Sequence, residues 1–193
     1  MLLDATQRRY VMERVIAPSI EQMRAEGSPF TGFLYAGLMM TQAGPKVLEF
    51  NVRLGDPETQ ALLHSLDCDF AEVLLAAAHG DLGSVKLAWR SDPSVCVVLA
   101  AAGYPGTPRK GDRIQGIEQA EAAGAAVFHA GTRAGKEGVE TAGGRVLGVT
   151  SSGSDLAGGI ERTYQAVSRV HFDGMHYRTD IGRKGLKRYT ATL

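Results

Sequence analysis

Glu49, Asn51 and Arg53 stand at alternate positions of the run Lys46–Arg53. The period of two in a β-strand predicts that they share one face, with Leu48, Phe50 and Val52 making an apolar face behind them. A carboxylate and an amide oxygen suit a hard divalent cation such as Mg²⁺. Such an ion keeps several waters and takes one or two protein ligands plus substrate phosphates. An arginine beside them is shaped to grip phosphate or carboxylate with two parallel hydrogen bonds. Together the three have the charge pattern of a phosphoryl-transfer site. The blander reading is a half-buried antiparallel strand whose polar side faces water, which alternation alone also predicts.

The next five residues favour a site. Leu54-Gly55-Asp56-Pro57-Glu58 reads as a strand running into a helix. Asp56 is suited to the N-cap, Pro57 to the first helical position, and Glu58 to the positive end of the helix dipole. Capping alone would also explain Asp56.

Longer runs carry a resemblance. Phe33-Leu34-Tyr35-Ala36-Gly37-Leu38-Met39 is followed by Val47-Leu48-Glu49-Phe50-Asn51-Val52-Arg53-Leu54-Gly55-Asp56-Pro57-Glu58-Thr59-Gln60. Further on come Ala101-Ala102-Gly103-Tyr104-Pro105-Gly106, Val127-Phe128-His129-Ala130-Gly131-Thr132, Gly143-Gly144-Arg145-Val146-Leu147 and Tyr177-Arg178-Thr179-Asp180-Ile181-Gly182. In this order, and over nearly the whole chain from Gln7 to Leu186, these runs resemble the phosphoribosylamine–glycine ligases. These are the glycinamide ribonucleotide synthetases of purine biosynthesis, within the ATP-grasp ligases.

The resemblance implies ATP-dependent joining of glycine to 5-phosphoribosylamine, giving ADP and phosphate. It places Glu49 and Asn51 at the positions that hold Mg²⁺ or Mn²⁺ against the ATP phosphates. Arg53 would stabilise the transferring phosphoryl group, Asp56 and Glu58 would contact substrate amines, and Leu48 or Met39 would line the adenine. It also implies a preceding part bearing lysines and a glycine-rich loop. No G-x-x-x-x-G-K-[ST] or G-x-G-x-x-G stands here in strand–helix context to replace them. The chain is therefore expected to be the C-terminal part of a ligase, needing the N-terminal part as its partner.

Composition fits that expectation. The 21 basic and 21 acidic residues cancel, which suggests neither a nucleic-acid nor an anionic-membrane partner. The longest apolar run, Val95 to Gly103, is too short to span a bilayer. There is no signal-peptide pattern at Met1-Leu2-Leu3-Asp4, and Cys68 and Cys96 form no CxxC pair, so a cytoplasmic location is expected. Cys96 reads as a small core residue.

The expected fold class is α+β. Residues 1–90 would be part of an ATP-grasp domain, an antiparallel hairpin plus helices. Residues 91–193 would be a small antiparallel β domain with a packed helix. In the first, Thr6 to Gly27 reads as a helix with an apolar stripe of Met12, Ile16, Ile20 and Met23, kinked or broken at Pro18. Strands Phe30–Met40 and Lys46–Arg53 meet through Gln42-Ala43-Gly44-Pro45, with helices after them over Pro57–Leu66 and Phe70–His79.

In the second, Ser94–Ala102 reads as a buried strand, with Arg113–Ile117 folding back and Ala126–Ala130 as a third strand. Val139–Thr141 and Arg145–Thr150 are expected to pair as a hairpin across Ala142-Gly143-Gly144. A helix over Ser154–Val170 would turn Leu156, Ile160, Tyr164 and Val167 onto the sheet. His129 reads as a hydrogen-bonded structural residue, Tyr104 as a turn aromatic, and Arg183–Arg188 as a solvated tail. Two other functions compete with the ligase part: an inactive fragment or interaction module, and a different ATP-grasp ligase that shares the metal strand.

Overall fold

The computed structural model describes residues 3–189. The chain is α+β and divides into two compact units. The first comprises residues up to 56 together with 67–88, and the second 57–66 together with 89 onward. The sequence-based division near residue 90 differs in one respect: the segment 57–66 packs with the second unit.

The first unit opens with helix α1 (Ala5–Val11), a π-helical turn (Met12–Ile16) and helix α2 (Ala17–Ala25). Asp4 begins the run with a reciprocal cap. Its carboxylate accepts from the Gln7 amide at 2.7 Å, and the Gln7 side chain accepts from the Asp4 amide at 3.1 Å. The expected irregularity near Pro18 falls in the turn before it. There the Ala17 N–H bonds the carbonyl of Met12, five residues back. The extra residue of that turn changes the stripe: Met12 is 56 % exposed, while Val11, Ile16, Ile20 and Met23 are partly covered.

Strands β1 (Tyr35–Thr41) and β2 (Gly44–Asn51) then form an antiparallel hairpin about Gln42-Ala43. At the turn the Thr41 hydroxyl donates to the Gly44 carbonyl at 2.8 Å. After the segment lent to the second unit, α4 (Phe70–His79) is capped by Asp69, which accepts from the Ala71 and Glu72 amides, and stopped by Gly80 at φ 73°. Phe70 sets α4 against Phe33, their ring centroids 6.1 Å apart. A 3₁₀ turn, Leu82–Ser84, closes the unit.

The second unit is built on a three-stranded antiparallel sheet in which β7 (Arg145–Ser152) lies between β3 (Ser94–Ala100) and β4 (Ala126–His129). Helix α6 (Leu156–Val167) packs on one face of β3 and β7, and α3 (Glu58–Ser65) packs on the same two strands. Their contacts put them on opposite faces. Gly159 of α6 lies against Val95, whereas Gln60 of α3 lies over Gly148 beside Cys96, on the other side of the pleat. The central strand is consequently covered on both sides, with Val146, Leu147, Val149 and Thr150 all at most 1 % exposed. Val97, Leu99, Val167 and Phe172 complete the core. Cys96, only partly buried, borders the α3 face rather than this core.

Four expectations for this unit are corrected. The segment Val139–Thr141 does not pair with Arg145–Thr150. Strand β6 (Gly138–Thr141) pairs instead with β5 (Thr132–Gly135), and the two glycines Gly143 and Gly144 lead from that hairpin into the main sheet. Arg113–Ile117 makes only isolated bridges, at Arg113 and Gln115, before helix α5 (Ile117–Ala122).

Of the expected stripe of α6, Val167 is fully buried and Tyr164 packs against the core, but Gly159, Thr163 and Ala166, not Leu156 and Ile160, complete the buried face. Small residues win because a β-carbon at Gly159 would stand 3.0 Å from the Pro93 carbonyl, and the Thr163 hydroxyl is bonded to the Gly159 carbonyl at 2.7 Å. Finally, Arg183–Tyr189 forms a short helix, α7, rather than a loose tail, with Gly185 buried and Arg183 and Lys184 exposed.

Candidate functional site

The hairpin brings the predicted metal pair together. Glu49 and Asn51 share a face of β2, and the Asn51 amide nitrogen donates to Glu49 Oε1 at 3.0 Å. Across the hairpin, Gly37 is paired with Glu49 and Tyr35 with Asn51. A β-carbon at Gly37 would come within 3.1 Å of Glu49 Cγ, so glycine there leaves the carboxylate its room. These are two oxygen-bearing side chains at alternate positions of the strand, with no third acidic or imidazole group gathered about them among the described residues. This donor set fits a hard cation that draws its other ligands from water and phosphate, and does not fit a zinc-type cage.

Strict alternation fails within the strand. The register passes from Gly37↔Glu49 to Leu38↔Val47, which leaves Leu48 as the extra residue of a β-bulge. The expected apolar core face is not a core face. Leu48 is 64 %, Phe50 43 % and Val52 68 % exposed, and no layer of the described residues buries them.

Arg53 lies two residues past the end of β2, in a bend, and its Nη1 donates to the Leu54 carbonyl at 3.2 Å. It is therefore not part of the strand row, although it remains beside it in sequence. Helix α3 begins at Glu58 with Pro57 in the cap position and no side-chain cap. Asp56, expected to cap, sits one residue earlier and is exposed, as is Glu58. Pro57, at φ −101° and ψ 22°, stands outside the helix and has no side-chain oxygen to cap it.

Elsewhere the candidates behave as structural groups. His129 is exposed, with Nδ1 3.0 Å from the Thr132 hydroxyl. Tyr104 accepts from Arg145 Nε at 3.0 Å, and its ring covers Gly144 so closely that no β-carbon would fit there. Arg178 holds Asp180 in a fork of 2.9 and 2.8 Å, which lowers the Asp180 carboxyl below its usual range.

Sequence patterning does not single out His64. Its Nδ1 lies 3.1 Å from the Ser94 hydroxyl, and burial, reinforced by Arg90, lowers its pKa. The one sequence signal is a histidine near the end of a short helix. No described helix is long and apolar enough to cross a membrane.

Similarity to known proteins gives the class, an ATP-grasp ligase, and puts this hairpin within its ATP-grasp domain. Residues 2–59 match the phosphoribosylglycinamide synthetase ATP-grasp (A) domain, and residues 94–184 match the phosphoribosylglycinamide synthetase C domain. The chain belongs to the phosphoribosylamine–glycine ligase family.

It is 48 % identical over 178 residues to the Streptomyces coelicolor phosphoribosylamine–glycine ligase, covering 90 % of this chain and 43 % of that protein. To the chloroplastic enzyme of Arabidopsis thaliana it is 48 % identical over 183 residues, covering 92 % and 34 %. The crystal structure of the Thermotoga maritima phosphoribosylamine–glycine ligase superposes with a TM-score of 0.75 at 32 % identity, over 92 % of this chain and 44 % of that one. N5-carboxyaminoimidazole ribonucleotide synthetase from the same organism shares the fold, with a TM-score of 0.58 at 18 % identity. The chain thus spans about two fifths of the length of these ligases.

Proposed function

We propose that this chain supplies the metal-holding hairpin and the second unit of an enzyme that ligates glycine to 5-phosphoribosylamine at the expense of ATP, in the cytoplasm. The observation that carries this reading is the Glu49–Asn51 pair, bonded at 3.0 Å on the hairpin that lies within the matched ATP-grasp (A) domain.

In the reaction a carboxylate oxygen of glycine attacks the γ-phosphorus, and the bond to the β-phosphate oxygen breaks to release ADP. The amine nitrogen of phosphoribosylamine then attacks the acyl phosphate carbon, and inorganic phosphate leaves as the amide forms and the amine proton is lost. Mg²⁺ or Mn²⁺, held by Glu49 and Asn51, would neutralise phosphate charge. To hold a cation, Glu49 would offer its carboxylate and Asn51 its side-chain carbonyl oxygen in place of their present hydrogen bond. Arg53 steadies the oxygens of the transferring phosphoryl group. Asp56 and Glu58 contact the substrate amines, and Met39 and Leu48, both exposed apolar side chains, line the adenine. No enzyme nucleophile is required, because the glycine carboxylate itself is activated.

The test has two arms. The 193 residues alone, assayed for ADP release with glycine and phosphoribosylamine, are expected to give no turnover. Arg53 and a cation held by Glu49 and Asn51 would neutralise too little of the triphosphate charge for turnover without further cationic groups and loop amides. In a full-length ligase carrying this sequence, Glu49→Gln is expected to raise the divalent-metal requirement and lower kcat, and Arg53→Lys to rescue Arg53→Ala only in part. Unchanged metal dependence in the Glu49→Gln enzyme removes Glu49 from the site.

A further inference from the structure

We infer that Lys46 is a further ligand-contacting residue of the hairpin site, its ammonium holding an anionic oxygen of the metal-bound polyphosphate; this rests on the proposed metal-holding role of Glu49 and Asn51. The bulge at Leu48 is what places it there. Directly opposed residues of a hairpin share a face. Glu49 opposes Gly37, and Lys46 opposes Met39. Gly37 and Met39 are alternate residues of β1 and so lie on one face, which puts Lys46 on the face of Glu49 and Asn51. In an unbulged strand, residues three apart point to opposite faces, and Lys46 would be turned away.

The reach is adequate. Two steps of β1 separate the two pairs, roughly 7 Å at strand rise. An exposed lysine on its flexible four-carbon stem covers most of that span. The order along the chain becomes Lys46, Glu49, Asn51 and then Arg53 in the bend, a cation on each side of the metal pair. A chain of phosphates coordinated at its middle needs charge on either side, and a mobile ammonium serves it as a point charge where a planar fork would demand one fixed geometry. Met39, opposite Lys46 and 52 % exposed, adds an apolar neighbour on the same face.

The experiment titrates the 193-residue chain with Mg²⁺ and inorganic tripolyphosphate, and separately with adenosine, following backbone amide shifts of the hairpin. Lys46→Gln is expected to weaken tripolyphosphate binding about fivefold to tenfold, with the difference shrinking as salt is added. Lys46→Arg should retain most of the affinity. Lys110→Gln, an exposed lysine of the second unit, should change nothing, and adenosine binding should be equal in all variants. If Glu49→Gln loses binding while Lys46→Gln binds like the unsubstituted chain, Lys46 is removed and the metal reading stands. A Glu49→Gln chain that binds normally overturns both. A Lys46→Gln loss that extends equally to adenosine assigns the contact to the nucleoside and overturns the phosphate assignment.

Discussion

The hairpin of the first unit and the sheet of the second are both antiparallel and both rich in apolar residues, yet they end in opposite states. In the second, α3 and α6 cover the two faces of β3 and β7, and Val97, Leu99, Val146 and Val149 are wholly buried. In the first, Met39 of β1 and Val47, Leu48 and Phe50 of β2 are each at least 41 % exposed. The alternation that forms a strand is the same. What differs is the number of layers laid on it. The closed sheet holds its unit together, whereas the open one carries the side chains that can reach a ligand.

The sharpest way to break that contrast is to remove one phenylalanine from each region. Phe172 is fully buried and Phe50 is 43 % exposed. Phe172→Ala should cost about 3–5 kcal/mol, the combined loss of transfer free energy and the cavity left behind. Phe50→Ala should cost about 1 kcal/mol or less, because the ring gives up little burial. Urea unfolding followed by the single tryptophan, Trp89, which belongs to the second unit, measures the first directly. Hydrogen exchange of the β1–β2 amides measures the second. Equal costs at the two sites would mean that the hairpin is as closed as the sheet.

The same contrast explains what can be read from residue order. Hairpin β1–β2, helix α4, the buried strand β3 and the Glu49–Asn51 pair arise from local rules: alternation, an Asp cap, a glycine stop and a run of β-branched residues. The stripe on α6 follows bulk only at Tyr164 and Val167. Gly159 and Thr163 face the sheet for the sake of close approach to Pro93 and Val95, a non-local requirement. The pairing of β6 escapes local rules for a similar reason. Glycines at 143 and 144 suggest a hairpin, but nothing local says that β7 is claimed by β3 and β4 on either side. In the site, Leu48 gives no sign of a bulge, since the extra residue is defined only by its partner strand. Alternation carries the expected strand as far as Arg53, two residues beyond its end.

Helix α3 offers a test of intermediate size, because it joins the segment that carries Asp56 to the closed sheet. Its hold includes the His64–Ser94 contact at 3.1 Å. Burial, with Arg90 as the neighbouring charge, lowers the folded pKa of His64 below 6.5. The folded state therefore binds fewer protons than the unfolded state in that range, and stability rises with pH across the window. The contribution is complete above pH 6.5 and is lost as pH falls through the lowered value. Trp89-monitored unfolding should show a lower midpoint at about pH 5.5 than at about pH 7.5, and His64→Gln should reduce the difference. A midpoint difference of the same size in His64→Gln would assign the pH dependence to other groups.

The smallest effect is expected where the open region is most open. Leu48 is the extra residue of the bulge and is 64 % exposed, so Leu48→Ser removes little burial and disturbs no paired position. An exposed substitution of this kind changes stability by about 0.5 kcal/mol or less. Its effect on association should be of the opposite character. Leu48, with the exposed Val47 and Phe50 of the same strand, presents apolar surface on a two-stranded sheet, the kind of patch that recruits another layer. Leu48→Ser is therefore expected to leave the urea midpoint unchanged while raising the concentration at which the chain begins to self-associate in sedimentation. A lowered midpoint would show that Leu48 is packed against something in solution, and the comparison between an open hairpin and a closed sheet would have to be withdrawn at this residue.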